Sequence, residues 1–271
     1  MKKIITCIVF TLVLSPLFAQ QSAIKFQVGY GLPLGGSTLG TSTSQGSGNN
    51  PSYTQTIQRG SFGSGTQIEI GYVHSVSGLL SVQMDASYLF GKEYNTSSDH
   101  YTYQGSDYGQ SVSSRANVFL LSPQLRAKLG EGKLSPYLSA GPVVSFGKMY
   151  ETGSFNNYDS NPYNYEKTYS GSAAIGAKTT VGVEMTQGKF GFYGQVTMIN
   201  LSYAPTKGVY TKYVDQYGDR LANMTTAQKE TSFVTSYDAN APQDPNQPSK
   251  ALKQYNPLGS ISLSFGVMYH F

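Results

Sequence analysis

The chain has 271 residues and only 13% of them are charged, where an ordinary soluble domain carries roughly 25%. Glycine (30) and tyrosine (22) fill much of that deficit, which argues against a conventional charged, water-facing surface. Removing Lys2 and Lys3 from the 19 basic residues leaves 17 against 15 acidic ones, so a pI near 8.9 is a near balance and points to no nucleic-acid partner.

Lys2 and Lys3 precede an apolar run from Ile4 to Phe18, and Ala19 supplies a small residue for cleavage. This pattern predicts that residues 1–19 are a secretory signal peptide and that residues 20–271 are the mature domain. Cys7, the one cysteine, lies early in that run, so the exported chain would have no thiol for disulfides, thiolate metal sites or nucleophilic chemistry. No second apolar run reaches the ~18 residues that a membrane helix needs.

Period-two alternation then predicts eight strands. The first is Ala23 to Leu32, with Ile24, Phe26, Val28, Tyr30 and Leu32 on one face. The second is Thr66 to His74 and the third Leu79 to Phe90, where Leu80, Val82, Met84, Ala86, Tyr88 and Phe90 oppose Ser81, Gln83, Asp85 and Ser87. Arg115 to Leu129, Leu134 to Phe146, Ser172 to Met185 and Lys189 to Tyr203 follow. The eighth, Leu258 to Phe271, alternates most cleanly, with Ile261, Leu263, Phe265, Val267, Tyr269 and Phe271 on its apolar face. Each is long enough for a tilted strand to cross a bilayer, which takes ~9–11 residues.

The connections alternate between two kinds. Ser75 to Gly78, Gly130 to Lys133 and Gln187 to Gly188 are tight turns, whereas Pro33 to Gly65, Gly91 to Ser114, Gly147 to Gly171 and Ala204 to Pro257 are long. Short periplasmic turns and long extracellular loops are the asymmetry of outer-membrane barrels. The expected fold is therefore an all-β, transmembrane, antiparallel up-and-down barrel of eight strands. It would have ten if Lys207 to Val214 and Thr231 to Tyr237 formed another membrane hairpin. An even count places both termini in the periplasm. The competing fold is a soluble barrel or sandwich, but the polar faces here carry Ser, Gly, Gln and Thr with isolated charges rather than a solvated charged surface.

The last eight residues, Ser264-Phe265-Gly266-Val267-Met268-Tyr269-His270-Phe271, match the terminal signal of outer-membrane proteins: a polar residue, a glycine two on, and hydrophobic residues at the third-from-last and last positions. Ser264, Gly266, Tyr269 and Phe271 carry the match, which implies recognition by the barrel assembly machinery. The final strand is an unpaired edge until closure, and so a natural handle for insertion. Asn117 to Leu125 followed by Pro136 to Pro142 resembles the central hairpin of the small outer-membrane barrel family that includes the OmpA transmembrane domain, OmpX and OmpW. That resemblance extends in architecture over Ala23 to Phe271. No peptidoglycan-binding segment follows Phe271, so an OmpA-like anchoring role is not expected.

Seven charges fall on the inward faces: Lys25, Glu69, Asp85, Arg126, Lys128, Lys178 and Glu184. Both signs occur, and an eight-stranded interior is just wide enough for side chains to fill. They are expected to hold the interior together; the competing role is to line a narrow selective pore. Tyr30, Tyr72, Tyr88, Tyr137, Tyr203 and Tyr269 lie at or near strand ends, where amphipathic rings suit a lipid headgroup region. The many loop tyrosines either pack hairpin extensions or anchor partners.

Catalysis is not expected, because His74, His100 and His270 cannot meet and no Ser–His pair stands out. Gly60-Ser61-Phe62-Gly63-Ser64-Gly65 precedes a strand rather than a helix and reads as a flexible loop. Asp159-Ser160-Asn161 and Asp238 to Asp244 lack a full calcium ligand set. Asp219 to Glu230 suggests a short helix, and the fourth loop nearly cancels its charge, with six basic against five acidic residues. No cofactor or metal is expected. The expected partners are outer-membrane lipid, the assembly machinery and an extracellular ligand or host surface. The chain thus reads as a non-catalytic integral protein of the bacterial outer membrane, with a filled lumen and loops for interaction, adhesion or membrane integrity; the alternative is a narrow channel or small-ligand uptake porin.

Overall fold

A computed structural model of the protein describes residues 22–45, 53–103, 106–130, 132–157 and 160–271; the expected signal peptide lies outside them. Eight strands build the barrel: β1 (Ser22–Pro33), β2 (Gly65–Ser75), β3 (Leu80–Gly91), β4 (Ser106–Lys128), β5 (Leu134–Asn157), β6 (Ala174–Gln187), β7 (Phe190–Asn200) and β8 (Ser260–His270). Each pairs antiparallel with its neighbour in sequence, and β8 pairs back onto β1 to close the ring. The closing register sets Ala23 opposite His270 and Leu32 opposite Ile261, and the Phe271 amide donates to the Ser22 carbonyl at 2.9 Å. Eight is therefore the strand number. Lys207–Asp215 and Glu230–Val234, the candidates for a ninth and tenth, join the sheet beyond the barrel instead, through Ser160–Ser170.

The alternation places apolar side chains outward. Ile24, Phe26, Val28, Tyr30 and Leu32 are all exposed, while Lys25 and Gln27 between them are buried, and the same holds along β8. An inverted barrel of this kind has its polar core in the lumen and its apolar belt where a soluble protein would carry charge. Beyond the belt, β4 and β5 do not end where their hydrophobic alternation ends. β4 begins at Ser106 rather than Arg115, and β5 continues to Asn157 rather than Phe146. These extensions meet neither lipid nor a packed core on both faces, so they carry no hydrophobic period and read as loop. The second and third long connections are accordingly largely strand, and the first and fourth are strand in part. Tyr94–Tyr103 pairs with β4, Thr38–Gln45 and Tyr53–Arg59 extend that edge, and Ser160–Ser170 followed by Lys207–Asp215 extends the other. The predicted helix within Asp219 to Glu230 is one turn, Thr226–Lys229, started by a capping box of Thr225 and Gln228.

At the other end the turns are tight. Gly188 holds φ +63° between β6 and β7, a left-handed conformation that glycine adopts without strain. Glycines also make room inside. The Tyr137 ring lies over Gly182, its register partner, and the Tyr193 ring over Gly266. Tyr137 is thus interior, not interfacial as its place near a strand end suggested, because its position on β5 has the parity of Ser135 and Ser139. Tyr203 is also fully buried; its hydroxyl donates to the carbonyls of Gly147 (3.1 Å) and Gly171 (2.8 Å). Tyr30, Tyr72, Tyr88 and Tyr269 do face outward.

Gly182→Leu should displace the Tyr137 ring and lower stability by about 1–3 kcal/mol, the usual cost of overpacking. Urea unfolding of protein refolded into phospholipid vesicles would show it as a lower midpoint. Gly194→Ala, whose added methyl meets only the Phe265 ring at 3.4 Å, should leave that midpoint nearly unchanged.

Candidate functional site

The lumen is filled in three levels. In the middle, Lys25 and Lys178 each bridge Glu69 and Asp85: Lys25 Nζ lies 3.0 Å from Glu69 and 2.9 Å from Asp85, and Lys178 Nζ lies 2.7 and 2.8 Å from the same two carboxylates. The four side chains come from β1, β2, β3 and β6, so the lattice crosses the lumen rather than following one wall. Gln83 and Gln124 also donate to Asp85, at 2.8 and 2.5 Å, and Ser139 donates to Gln124 at 2.8 Å. All four ions are at most 3% exposed, a burial that is tolerable only because each charge is paired twice.

Toward the short turns, Glu184 collects Arg126 at 2.5 Å, Lys128 at 3.4 Å and the His270 imidazole at 3.2 Å. The Arg126 guanidinium lies 3.8 Å from the centroid of the Tyr137 ring, whose hydroxyl donates to Gln195 at 2.7 Å. All seven inward charges thus fall into two clusters, although Lys128 keeps a quarter of its side chain exposed at the rim. His270, Tyr137 and Tyr193 complete the interior. The parity of His270 with Ser264 and Gly266 on β8 was the available signal for the first.

Toward the long hairpins the interior turns apolar. Leu89, Val118, Leu120, Ile199, Leu201 and Leu258 pack together with Phe62 above them. Gly60 to Gly65 is accordingly no free loop. Ser61, Phe62 and Ser64 are buried, the Phe62 amide donates to the Pro257 carbonyl at 2.9 Å, and Ser64 bonds Tyr94 at 2.5 Å. The side-by-side apolar residues Leu89-Phe90 and Val118-Phe119-Leu120-Leu121 mark this level in sequence, since both faces of a strand are apolar only where neither meets water: Leu89, Val118 and Leu120 are buried in the lumen, and Phe90 and Phe119 lie exposed on the apolar belt.

Above this plug, the extended hairpins wall a cup of about 650 Å³. Phe62, Pro257 and Met149 form its floor, and Tyr169, Phe233 and Tyr255 contribute rings to its walls; the Tyr150 ring faces the other side of the sheet, beneath Arg115. The Glu151 carboxylate accepts from the hydroxyls of Tyr165 (2.9 Å) and Tyr169 (3.0 Å). Burial, reinforced by the Glu151 charge, pushes both phenols above their usual range, so they remain neutral donors. Lys167 lies over the rings of Tyr169 and Tyr210 at 5.3 and 4.8 Å. Burial draws its ammonium below the usual lysine range, and Glu151 partly offsets that. Further up the same face, Phe155 and Tyr163 stack at 4.7 Å, and Tyr163 stacks on Tyr213 at 5.3 Å.

One Ser–His contact exists that the sequence did not suggest. Ser22 Oγ lies 3.0 Å from His74 Nδ1 and 3.0 Å from the Tyr72 hydroxyl, which ties the start of β1 to β2 at the short-turn end. His270 faces Glu184 and His100 lies on the Tyr94–Tyr103 strand, so the three histidines stay apart. Among the described residues no group of three His, Cys, Asp or Glu could hold a metal ion. Asp238 and Asp244 cap their own turns by accepting from Asn240 and Asn246 amides, and Asp159 lies outside the described residues. Of the terminal motif, Ser264 is buried in the lumen, while Tyr269 and Phe271 point outward, Tyr269 edge-on to Phe190 at 5.4 Å.

A closed ring of eight antiparallel strands, with paired charges within and an apolar belt without, defines a transmembrane β-barrel. No family model and no curated protein matches the chain. Solved structures to which it is similar include the outer membrane protein OprG from Pseudomonas aeruginosa, at 10% identity over 93% of this chain and 96% of that one, with a TM-score of 0.41. The outer membrane protease OmpT from Escherichia coli shares 8% identity over 93% and 97%, with a TM-score of 0.23. Likeness at this level assigns no role to any residue here.

Removing one lattice partner should cost far more than removing them together. Lys178→Met leaves Glu69 and Asp85 sharing Lys25 and should destabilise by about 3–5 kcal/mol. Adding Glu69→Gln to Lys178→Met should recover part of that loss. Equal unfolding midpoints for the single and double variants would argue against the lattice.

Proposed function

We propose that this protein is an integral, non-catalytic barrel of the bacterial outer membrane that conducts nothing through its lumen and presents its hairpin end to ligands outside the cell. The filled lumen carries the proposal. Two ion clusters and an apolar plug occupy successive levels, and the space remaining at the plug is about 10 Å³, no more than a single water. A pore needs a continuous hydrated path, and the plug, with room for no more than one water, supports its interruption there.

The orientation follows from barrel physics. Short turns belong in the periplasm and long hairpins outside; on that reading both termini of the barrel chain lie on the periplasmic side and the cup opens to the exterior. The terminal strand, with Ser264, Gly266, Tyr269 and Phe271, would be the segment offered to the assembly machinery. Its partner surfaces are β1 and β7, so both of its edges must be satisfied at once for the ring to close.

Support for a non-catalytic role comes from the histidines. His74 contacts Ser22 through Nδ1 and stacks on Tyr72, with ring centroids 6.4 Å apart, an arrangement that anchors a strand end rather than activating a nucleophile in a cleft.

Purified barrel in planar bilayers should give no stable single-channel steps. Reproducible steps whose size changes with Arg126→Gln or Asp85→Asn would favour the narrow channel and overturn the filled-barrel proposal.

A further inference from the structure

We propose that the cup at the hairpin end is a binding site for uncharged saccharide chains. This rests on the preceding proposal that the cup faces the exterior. Its volume, about 650 Å³, falls within the ~300–1,000 Å³ of small-molecule sites, and the buried Phe62, with the half-buried Pro257 beside it, closes it from the lumen. A ligand therefore enters and leaves from the same side, which is the behaviour of a receptor site rather than of a conduit.

The chemistry of the wall selects the ligand class. Rings of Tyr169, Phe233 and Tyr255 offer flat apolar faces, while the Thr38 hydroxyl and the Gln254 amide offer donors and acceptors between them, and the Thr96 and Ser249 hydroxyls, which donate to the Val112 and Glu230 carbonyls, keep acceptor capacity. A ligand matching this must be apolar on its faces and polar around its rim, as a pyranose is: axial C–H groups stack on rings while equatorial hydroxyls hydrogen-bond. A purely apolar ligand would cover the remaining donor and acceptor capacity without satisfying it, at a cost for every group so buried.

Charge narrows the class further. Glu151 is held by two phenols that use only part of the four or so acceptor sites of a carboxylate. It thus keeps a fixed acceptor for the ligand's hydroxyl donors. Lys167 opposes it from the neighbouring strand, its register partner across the β5 extension. Glu151 and Lys167 offset each other within the wall, and the third charged residue of the lining, Lys250, is exposed to solvent, where its ammonium is screened, so the enclosed part of the cup favours neither an anionic nor a cationic ligand. The aromatic face continues beyond the cup through Tyr163, Phe155 and Tyr213, which suits a chain of sugar units rather than a single small zwitterion such as an amino acid.

The test uses the folded barrel in detergent micelles, applied to an immobilised array of defined neutral and anionic oligosaccharides, with free amino acids as competitors. Binding is then followed in solution with the retained neutral oligosaccharide, through tyrosine fluorescence, which no tryptophan masks. The expected result is retention of a subset of neutral chains, with affinity reduced roughly tenfold by Tyr255→Ala and by Glu151→Gln. Tyr255 is 75% exposed, so its replacement leaves the barrel intact and keeps the test valid if Glu151→Gln fails to fold. No retention of any neutral chain, retention untouched by Tyr255→Ala, or displacement by free amino acids would each overturn the saccharide assignment. None of these would disturb the filled-barrel proposal, which the bilayer recordings address separately.

Discussion

Two lysines and two carboxylates in the centre of the lumen, drawn from strands that do not all adjoin, determine much of what this molecule can be. Lys25, Glu69 and Asp85 come from three consecutive strands, but Lys178 reaches them from the opposite wall. A buried charge with one partner missing costs several kcal/mol, so the lattice is satisfied only when all four strands hold their places around a closed ring. Closure in turn gives every barrel strand two neighbours and removes the edges that an open sheet would expose in lipid. Charge pairing and backbone pairing thus demand the same topology.

The same lattice decides what the barrel cannot easily do. An eight-stranded ring leaves space for side chains and little else, and here that space is taken by the ion lattice, by the Arg126–Glu184 cluster with Tyr137 beside it, and by the apolar plug beneath Phe62. The interior glycines are part of that economy of space, since Gly182 and Gly266 each leave the volume that a tyrosine ring fills. What remains for exchange with the surroundings lies at the two ends. The short-turn end is occupied by chain closure, with Ser22, His74 and Phe271 knitted together. Among the described residues, the hairpin end carries an open volume of about 650 Å³ with convergent polar groups.

Where the strands run with one face in lipid and one in the lumen, their alternation was legible residue by residue. Ile24 through Leu32 and Ile261 through Tyr269 needed no tertiary information, because a period of two survives whenever the two faces meet different media. The inward charges were legible for the same reason. Past the apolar belt that contrast disappears. On the rising part of β5 the inner face carries Met149 and Glu151 and the outer face Tyr150 and Thr152, so apolar and polar residues fall on both faces and the composition resembles loop. Val118 to Leu121 shows the opposite loss of contrast, where lumen and exterior are both apolar.

The sequence by itself determined the class, the alternation of short and long connections, and the seven charges that must face inward, because each follows from local periodicity and the cost of placing charge in lipid; eight strands rather than ten was decided by the pairing of Lys207–Asp215 with Ser160–Ser170 beyond the barrel. Only the tertiary structure decided which charge meets which, since Lys178 and Glu69 are 109 positions apart and no local rule relates them. It also decided that Tyr137 and Tyr203 turn inward, that Gly60 to Gly65 seals the mouth, and that Glu151, Lys167, Tyr169 and Tyr255 share one cup. Those are consequences of ring closure and of how far β4 and β5 rise past the belt, and both are properties of the assembled sheet rather than of any one strand.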